Sequence, residues 1–294
     1  MSVKKAVIPA AGFGTRFLPA TKAIPKEMIP VVDRPAIQYV VEEAAGAGIE
    51  EILIVTSWGK QAMEDHFDRA VELETHLEKK GKLDELEEVR RIANIARIHS
   101  VRQKEALGLG HAISMGRAFA GDDPFVVLYP DELLPGSNHG GADVLSEMIE
   151  LYDETGSSVI LVQDVPAEEI SAYGAIEPEE VDGRIRVKKM VEKPAPEDAP
   201  STLASRGRHV FSPSIFDALD RTGIGVGGEI QLADAIDLLA REQTVYAHVY
   251  SGPVFDVGRK LDYLKATVQL ALLRDDLADG FRDFLVELLD RERS

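Results

Sequence analysis

The sequence predicts an α/β fold, a Rossmann-like mixed, mostly parallel sheet with helices on both faces. Three observations carry that reading. Apolar runs of strand length recur, at Ala6-Val7-Ile8-Pro9-Ala10-Ala11, Ile52-Leu53-Ile54-Val55-Thr56, Phe125-Val126-Val127-Leu128-Tyr129 and Val159-Ile160-Leu161-Val162. Helical patterns alternate with them, as expected of parallel strands covered by crossover helices. A glycine-rich loop bearing cations directly follows the first run, and such sheets bind ligands beyond the carboxyl ends of their strands.

After the first strand comes Gly12-Phe13-Gly14-Thr15-Arg16-Phe17, followed by Lys22 and Lys26. Two glycines let the backbone turn tightly and bring N–H groups to an anion, and the basic side chains neutralise phosphate charge. The loop is not a Walker loop, since no GKS or GKT closes it, and it lacks the third glycine of the dinucleotide fingerprint. Pro35 to Gly48 reads as a helix, with proline at its first position, an apolar face of Ile37, Val40, Val41, Ala44 and Ala45, and glycine at its end. The strand at 52–56 follows. Residues 60–93 are rich in Glu, Lys and Arg, with Leu73, Leu77, Leu83 and Leu86 loosely spaced, and read as a charged helical insertion.

Arg102-Gln103 and Gly108-Leu109-Gly110-His111-Ala112 come next. Glutamine can pair with the donor–acceptor edge of a base, and the glycines allow close backbone approach before a helix opens. His111 receives no catalytic role. The strand at 125–129 delivers Asp131 to its carboxyl end, and Asp256 lies in Val254-Phe255-Asp256-Val257-Gly258. Magnesium takes a few carboxylates and completes its shell with phosphate and water, so these two aspartates are the metal candidates, although an aspartate at a strand end taken alone is more often a turn cap. Val191-Glu192-Lys193-Pro194 offers a lysine for a phosphate and a carboxylate for hydroxyls, with an exposed ion-rich strand end as its other reading. Tyr173-Gly174 and Gly227-Gly228-Glu229-Ile230-Gln231-Leu232 are further glycine-bearing motifs, and helix capping is an equal reading for the last of these. The chain from Lys260 on reads as helical, so residues 1–294 form one domain with an insertion at about 60–93 and a C-terminal helical segment at about 260–294.

Composition narrows the chemistry. The 294 residues are 45% hydrophobic, ample for a large core, and contain no cysteine, which excludes disulfides and thiolate catalysis. No secretory or membrane-spanning stretch is present, so a cytoplasmic protein is expected. The net charge of −18 argues against a nucleic-acid surface. Against that background residues 1–30 hold Lys4, Lys5, Arg16, Lys22 and Lys26 with Glu27 alone as anion, a basic island suited to an anion pocket.

These motifs together resemble the signature of the sugar-1-phosphate nucleotidylyltransferases, in which GxGTR wraps a nucleoside triphosphate. The long string Ala20-Thr21-Lys22-Ala23 and Pro25-Lys26-Glu27-Met28, with the charged insertion, is most similar to the uridylyl-transferring branch. The resemblance implies a nucleotide-diphospho-sugar transferase fold, UTP and glucose 1-phosphate as substrates, UDP-glucose and pyrophosphate as products, and Mg2+ as cofactor. It implies Arg16, Lys26 and Lys193 as catalytic groups and Asp131 and Asp256 as metal ligands. Ala11, Gly12, Gly14, Thr15, Glu27, Gln103 and Gly108 would bind nucleotide, and Gly174, Glu192, Lys193 and Glu229 the sugar phosphate. The family usually forms homodimers or homotetramers. Departures from its pattern occur at Tyr129, Glu132, Thr202, His209 and Ala233. The alternatives are the thymidylyl-transferring sister enzyme and a catalytically weak nucleotide-sugar-binding regulator.

Overall fold

A computed structural model describes residues 2–135 and 141–292. Its centre is a nine-stranded mixed sheet. In chain order the strands are β1 (Lys5–Pro9), β2 (Glu51–Thr56), β3 (Arg97–Arg102), β4 (Phe125–Leu128), β5 (Ser158–Asp164), β6 (Gly174–Val181), β7 (Arg184–Glu192), β8 (Leu203–Phe211) and β9 (Val245–Val249). Across the sheet they run β3-β2-β1-β4-β8-β5-β9-β7-β6. The first four are mutually parallel, β8 runs antiparallel between β4 and β5, and β9 pairs parallel with β5. The sheet is thus mixed; three of its four parallel strands, β1, β2 and β4, come from the apolar runs, and the edge strand β3 is polar.

Alternation along the strands divides the core. Ile8, Ile52 and Ile54 face one side with Ile37, Val40 and Leu145 of the helices Ala36–Gly46 and Gly141–Thr155. Val7, Leu53 and Val55 face the other, with Ile113, Phe216 and Ile236. Successive strand residues point to opposite faces, so both faces need apolar cover. The helix after Pro35 begins at Ala36, and Gly48 at φ +87° makes the turn beyond its end. β6 and β7 join through Asp182 and Gly183, both at positive φ, the conformation an Asp-Gly hairpin turn requires.

Residues 60–93 are not uniformly peripheral. Lys60, Met63 and Phe67 are buried in the core, and only Val71–Lys80 and Leu83–Ala93 form the outlying helical pair. Leu77 and Leu86 pack between them, and Glu74 receives hydrogen bonds from Arg69 and Arg90. At the other end, the helices Lys260–Leu272 and Ala278–Glu292 close the chain. The first braces the glycine-rich loop: Tyr263 meets the Phe17 ring edge-on at 5.5 Å and donates its hydroxyl proton to the Pro30 carbonyl at 2.9 Å.

Candidate active site

The glycine-rich loop folds back on itself through three short 3-10 turns, Thr15–Phe17, Ala20–Lys22 and Lys26–Met28. Gly14 sits at φ +65°, and a β-carbon there would lie 2.9 Å from the Lys26 β-carbon, so glycine is required on both counts. Thr21 closes the fold by donating to the Gly14 carbonyl at 2.8 Å. Lys26 is thereby brought beside the backbone N–H groups of the loop.

Asp131 follows β4 in a tight turn. The chain then forms a two-residue ribbon, Glu132–Leu133, antiparallel to Phe255–Asp256, with Asp256 directly opposite Glu132. The Val257 N–H donates to the Asp131 carbonyl at 2.7 Å. This ribbon unites two aspartates that no local rule makes neighbours. A β-carbon on Gly258 would lie 2.8 Å from Asp256 Oδ1 and 3.1 Å from Asp131 Oδ2, so these oxygens are no farther apart than the sum of those two lengths.

The loop cations meet the carboxylates. Lys26 Nζ lies 2.5 Å from Asp131 Oδ2, and Arg16 Nη1 lies 3.6 Å from Asp256 Oδ2. Burial alone would raise the Asp131 carboxyl, but the Lys26 ammonium overcomes it and holds the group below the usual range. Asp256 is pushed up to about 6, by burial first and then by Asp131 and Glu132, with distant Arg16 compensating weakly. Clustered acid with too little positive charge is a donor set that suits a hard divalent cation. Among the described residues no group of three or more His, Cys, Asp or Glu side chains could hold a metal ion. The protein therefore offers two carboxylates, and water and phosphate oxygens would complete the shell, which is how magnesium is usually held.

Two adjoining cavities open from this point, sharing Leu109, Tyr129 and Asp131. The first, about 410 Å³, is lined by Ala11, Gly12, Gly14, Thr15, Lys26, Glu27, Gln103, Gly108 and Glu229. The second, about 320 Å³, is lined by Arg16, Gly174, Glu192, Lys193, Gln231 and Asp256. The residues singled out from the sequence thus converge on one cleft, with shifts of place. Glu229, expected beside the sugar phosphate, lines the first cavity, on the side of Gly12 and Gln103. Glu27, expected to touch nucleotide, is 1% exposed and both its oxygens accept from Lys60 Nζ at 2.9 Å. Lys60 also donates to the Ala10 carbonyl at 2.6 Å, so it ties the loop to the end of β1. Gly108 and Gly110 make room for protein: β-carbons there would lie 2.6 Å from Glu229 Cβ and 2.8 Å from the Ile230 carbonyl oxygen. The Gly110 N–H donates to that carbonyl at 2.9 Å, so the Gly-Leu-Gly and Gly-Gly-Glu-Ile motifs interlock.

On the second cavity, a β-carbon on Gly174 would lie 2.6 Å from Met190 Cε and 3.5 Å from Glu192 Oε2. Lys193 is at φ +43°, a conformation L-residues rarely adopt, with its N–H donating to the Tyr173 carbonyl at 3.0 Å. Its ammonium is about half exposed and lies 2.7 Å from Glu192 Oε1.

Two of the five departures noted in the sequence, Tyr129 and His209, meet each other. Tyr129 lies against Gly207, where a β-carbon would stand 2.5 Å from the ring, and its hydroxyl is 3.2 Å from His209 Nε2. Burial pushes the Tyr129 hydroxyl up and lowers His209 to about 3, Arg208 adding to the latter, so both are neutral. Glu132 accepts the Gly207 N–H at 2.7 Å and lies 3.6 Å from Arg206 Nε, while also lining the second cavity.

The nucleotidyl transferase family model matches residues 5–272. The UTP–glucose-1-phosphate uridylyltransferase of Bacillus subtilis (strain 168) is 50% identical over 291 residues, 99% of this chain and 98% of that protein. A UTP–glucose-1-phosphate uridylyltransferase 2 of Staphylococcus saprophyticus is 51% identical over 287 residues, 97% of this chain and 98% of that protein. Among solved structures, a UTP-bound UGPase from Acinetobacter baumannii superposes with a TM-score of 0.89 at 44% identity, covering 97% of this chain and 99% of that one. A UDP-glucose pyrophosphorylase complexed with UDP-glucose gives a TM-score of 0.83 at 41% identity, covering 92% of this chain and 100% of that one.

Proposed function

The chain belongs to the nucleotidyl transferase family, and from that premise we infer that it makes UDP-glucose and pyrophosphate from UTP and α-D-glucose 1-phosphate. The observation that carries this reading is the single cleft in which the cation-bearing loop, two aspartates and the Glu192-Lys193 pair face one another.

The triphosphate lies along the loop, with its negative charge on the N–H groups of Gly12 to Thr15 and on Arg16 and Lys26. The uracil enters between Gly12 and Gln103. Glucose 1-phosphate occupies the second cavity, where Lys193 orients its phosphate and Glu192 accepts from sugar hydroxyls. An oxygen of that phosphate attacks the α-phosphorus, a new P–O bond forms, and the bond to the bridging oxygen breaks on the opposite side. Pyrophosphate leaves with the bonding electrons, and no enzyme-bound intermediate arises. Arg16 and Lys26 hold the growing negative charge as it departs; catalysis of this kind rests on positioning and electrostatics. Asp131 and Asp256 would hold a divalent cation, taken here to be Mg2+, which supplies charge neutralisation at the α-phosphate and the leaving group. The expected homodimer or homotetramer has a candidate surface in Phe284, Val286 and Leu289, all more than half exposed on the last helix.

Pyrophosphate release from the purified chain, with glucose 1-phosphate and each of UTP, dTTP and CTP in turn, tests the assignment. Release should be fastest with UTP. Better use of dTTP would move the protein to the thymidylyl branch, and no release with any triphosphate would make it a binding protein.

A further inference from the structure

Gln103 follows β3 and is 9% exposed, its side chain lining the nucleotide-side cavity. Its amide nitrogen lies 3.1 Å from the Gly108 carbonyl oxygen and 2.9 Å from His111 Nδ1. A carbonyl oxygen has no proton to give, so the NH2 of the amide, not its oxygen, must face Gly108. The same nitrogen then has one hydrogen left, directed at His111, and Nδ1 must accept it. The imidazole is thereby fixed as the neutral tautomer with its proton on Nε2. With both amide hydrogens spent on the protein, Oε1 is the polar atom Gln103 has left for a base, and it can only accept.

Resting on the uridylyl reading above, we infer that His111 is a positioning residue for base selection. It holds the Gln103 amide in one of its two orientations, so that the cavity recognises a pyrimidine with a donor at N3. Uracil has that N–H. Cytosine presents a lone pair at the same position, which would face the lone pairs of Oε1. Without His111 the amide could turn over and present its NH2, and the distinction would weaken. His111 does not line either cavity, so it acts through Gln103. Its own position is secured from two sides. It stands on the helix Leu109–Ser114, whose start is clamped by the Gly110 N–H donating to the Ile230 carbonyl and the Ile230 N–H donating to the Leu107 carbonyl.

Thymine shares the N3–H of uracil and cytosine does not, which separates this role from a structural one. General damage to the cavity would lower the use of all three nucleotides together. The test compares wild type, His111→Phe and His111→Asn, the last keeping an acceptor near the place of Nδ1, by pyrophosphate release with UTP, dTTP and CTP. For His111→Phe the UTP-over-CTP ratio of kcat/KM should fall about tenfold, on the scale of one buried hydrogen bond. Its UTP-over-dTTP ratio and its KM for glucose 1-phosphate should stay within about twofold, because no partner of either lies at position 111. His111→Asn should keep most of the UTP-over-CTP preference. Should the phenylalanine variant not fold, His111→Ala carries the same readouts. An unchanged UTP-over-CTP ratio in both ring-removed variants, or an asparagine variant as unselective as they are, overturns the role of His111 and leaves the uridylyl assignment standing. A wild-type protein that prefers dTTP or is inactive overturns that assignment, and this inference with it.

Discussion

The two halves of the cleft are held in different ways. On the nucleotide side the working side chains are gripped by interior partners. Glu27 is tied to Lys60, Gln103 to His111 and Gly108, and Lys26 to Asp131. On the sugar side, Lys193 is about half exposed, sits in a strained backbone conformation and leans on its own neighbour, Glu192. The difference teaches that damage should spread differently from each half. Substitutions behind the nucleotide side should cost stability as well as activity, whereas those at the exposed Lys193 should cost affinity for one substrate and little else.

The severest test of that contrast is Lys60→Met. It leaves the Glu27 carboxylate buried without its partner, a loss of roughly 3–5 kcal/mol, and a urea titration should show it as a large drop in the unfolding midpoint. Replacing Glu27 by Gln in the same chain should recover a good part. A midpoint close to wild type would mean that the nucleotide side is not held from within. Next come the carboxylates where the halves meet. Asp131→Asn or Asp256→Asn should lower turnover roughly 10²–10³-fold, the scale of losing one preorganised charge contact, while the melting temperature does not fall. Since both would serve one ion, the double variant should be little worse than the poorer single one. Near-normal turnover in either would detach the pair from the chemistry.

A third prediction concerns pH. His209 behind the sugar side is held neutral to about 3, against an ordinary 6.5. Between these values the unfolded chain binds a proton that the folded chain refuses, so stability falls as pH drops through the window, by about 2 kcal/mol at pH 5. In His209→Gln the acid side of the stability curve should be flatter by that amount; an unchanged slope would show that His209 titrates normally. The smallest effect is at Lys193→Met. The KM for glucose 1-phosphate should rise about tenfold, the scale of one charged hydrogen bond, with the KM for UTP and the melting temperature nearly unchanged. Equal damage to both substrate constants would erase the distinction between the halves.

What the sequence disclosed follows from the range of the forces involved. Unlike the polar edge strand β3, which has no buried residue and carries no such signal, β1, β2, β4 and β5 were legible because strands buried on both faces must be apolar throughout, as Phe125–Leu128 is. β8 was not, because Arg206, Arg208 and His209 are polar and yet buried within it. Arg208 is tolerated there only by the bidentate grip of Glu43, at 2.6 and 2.8 Å, from 165 positions away. The cation-bearing loop was legible because glycine and lysine are needed close together in the chain. Lys60 was missed and His111 received no role because a lysine after a strand or a histidine on a short helix looks alike whether it meets solvent or a buried polar group. The need for glycine at 108 and 110 was readable, but its cause, the Glu229–Ile230 backbone, lies more than a hundred residues on.

The ion pairs of the cleft carry a further consequence. Lys26 and Arg16 are the groups a triphosphate would want, and they are occupied by Asp131 and Asp256, the groups a cation would want. Neither couple can be recruited without stranding the other. A bare nucleotide would have to pull Lys26 away from Asp131, then left uncovered, and a bare cation would displace that same part-buried ammonium, while the exposed Arg16 can turn to water. When both arrive as one neutralised unit, all four charges change partners at once and none is orphaned. In the proposed reaction the cleft is therefore a lock set for a pair, nucleotide and cation each releasing the group the other needs.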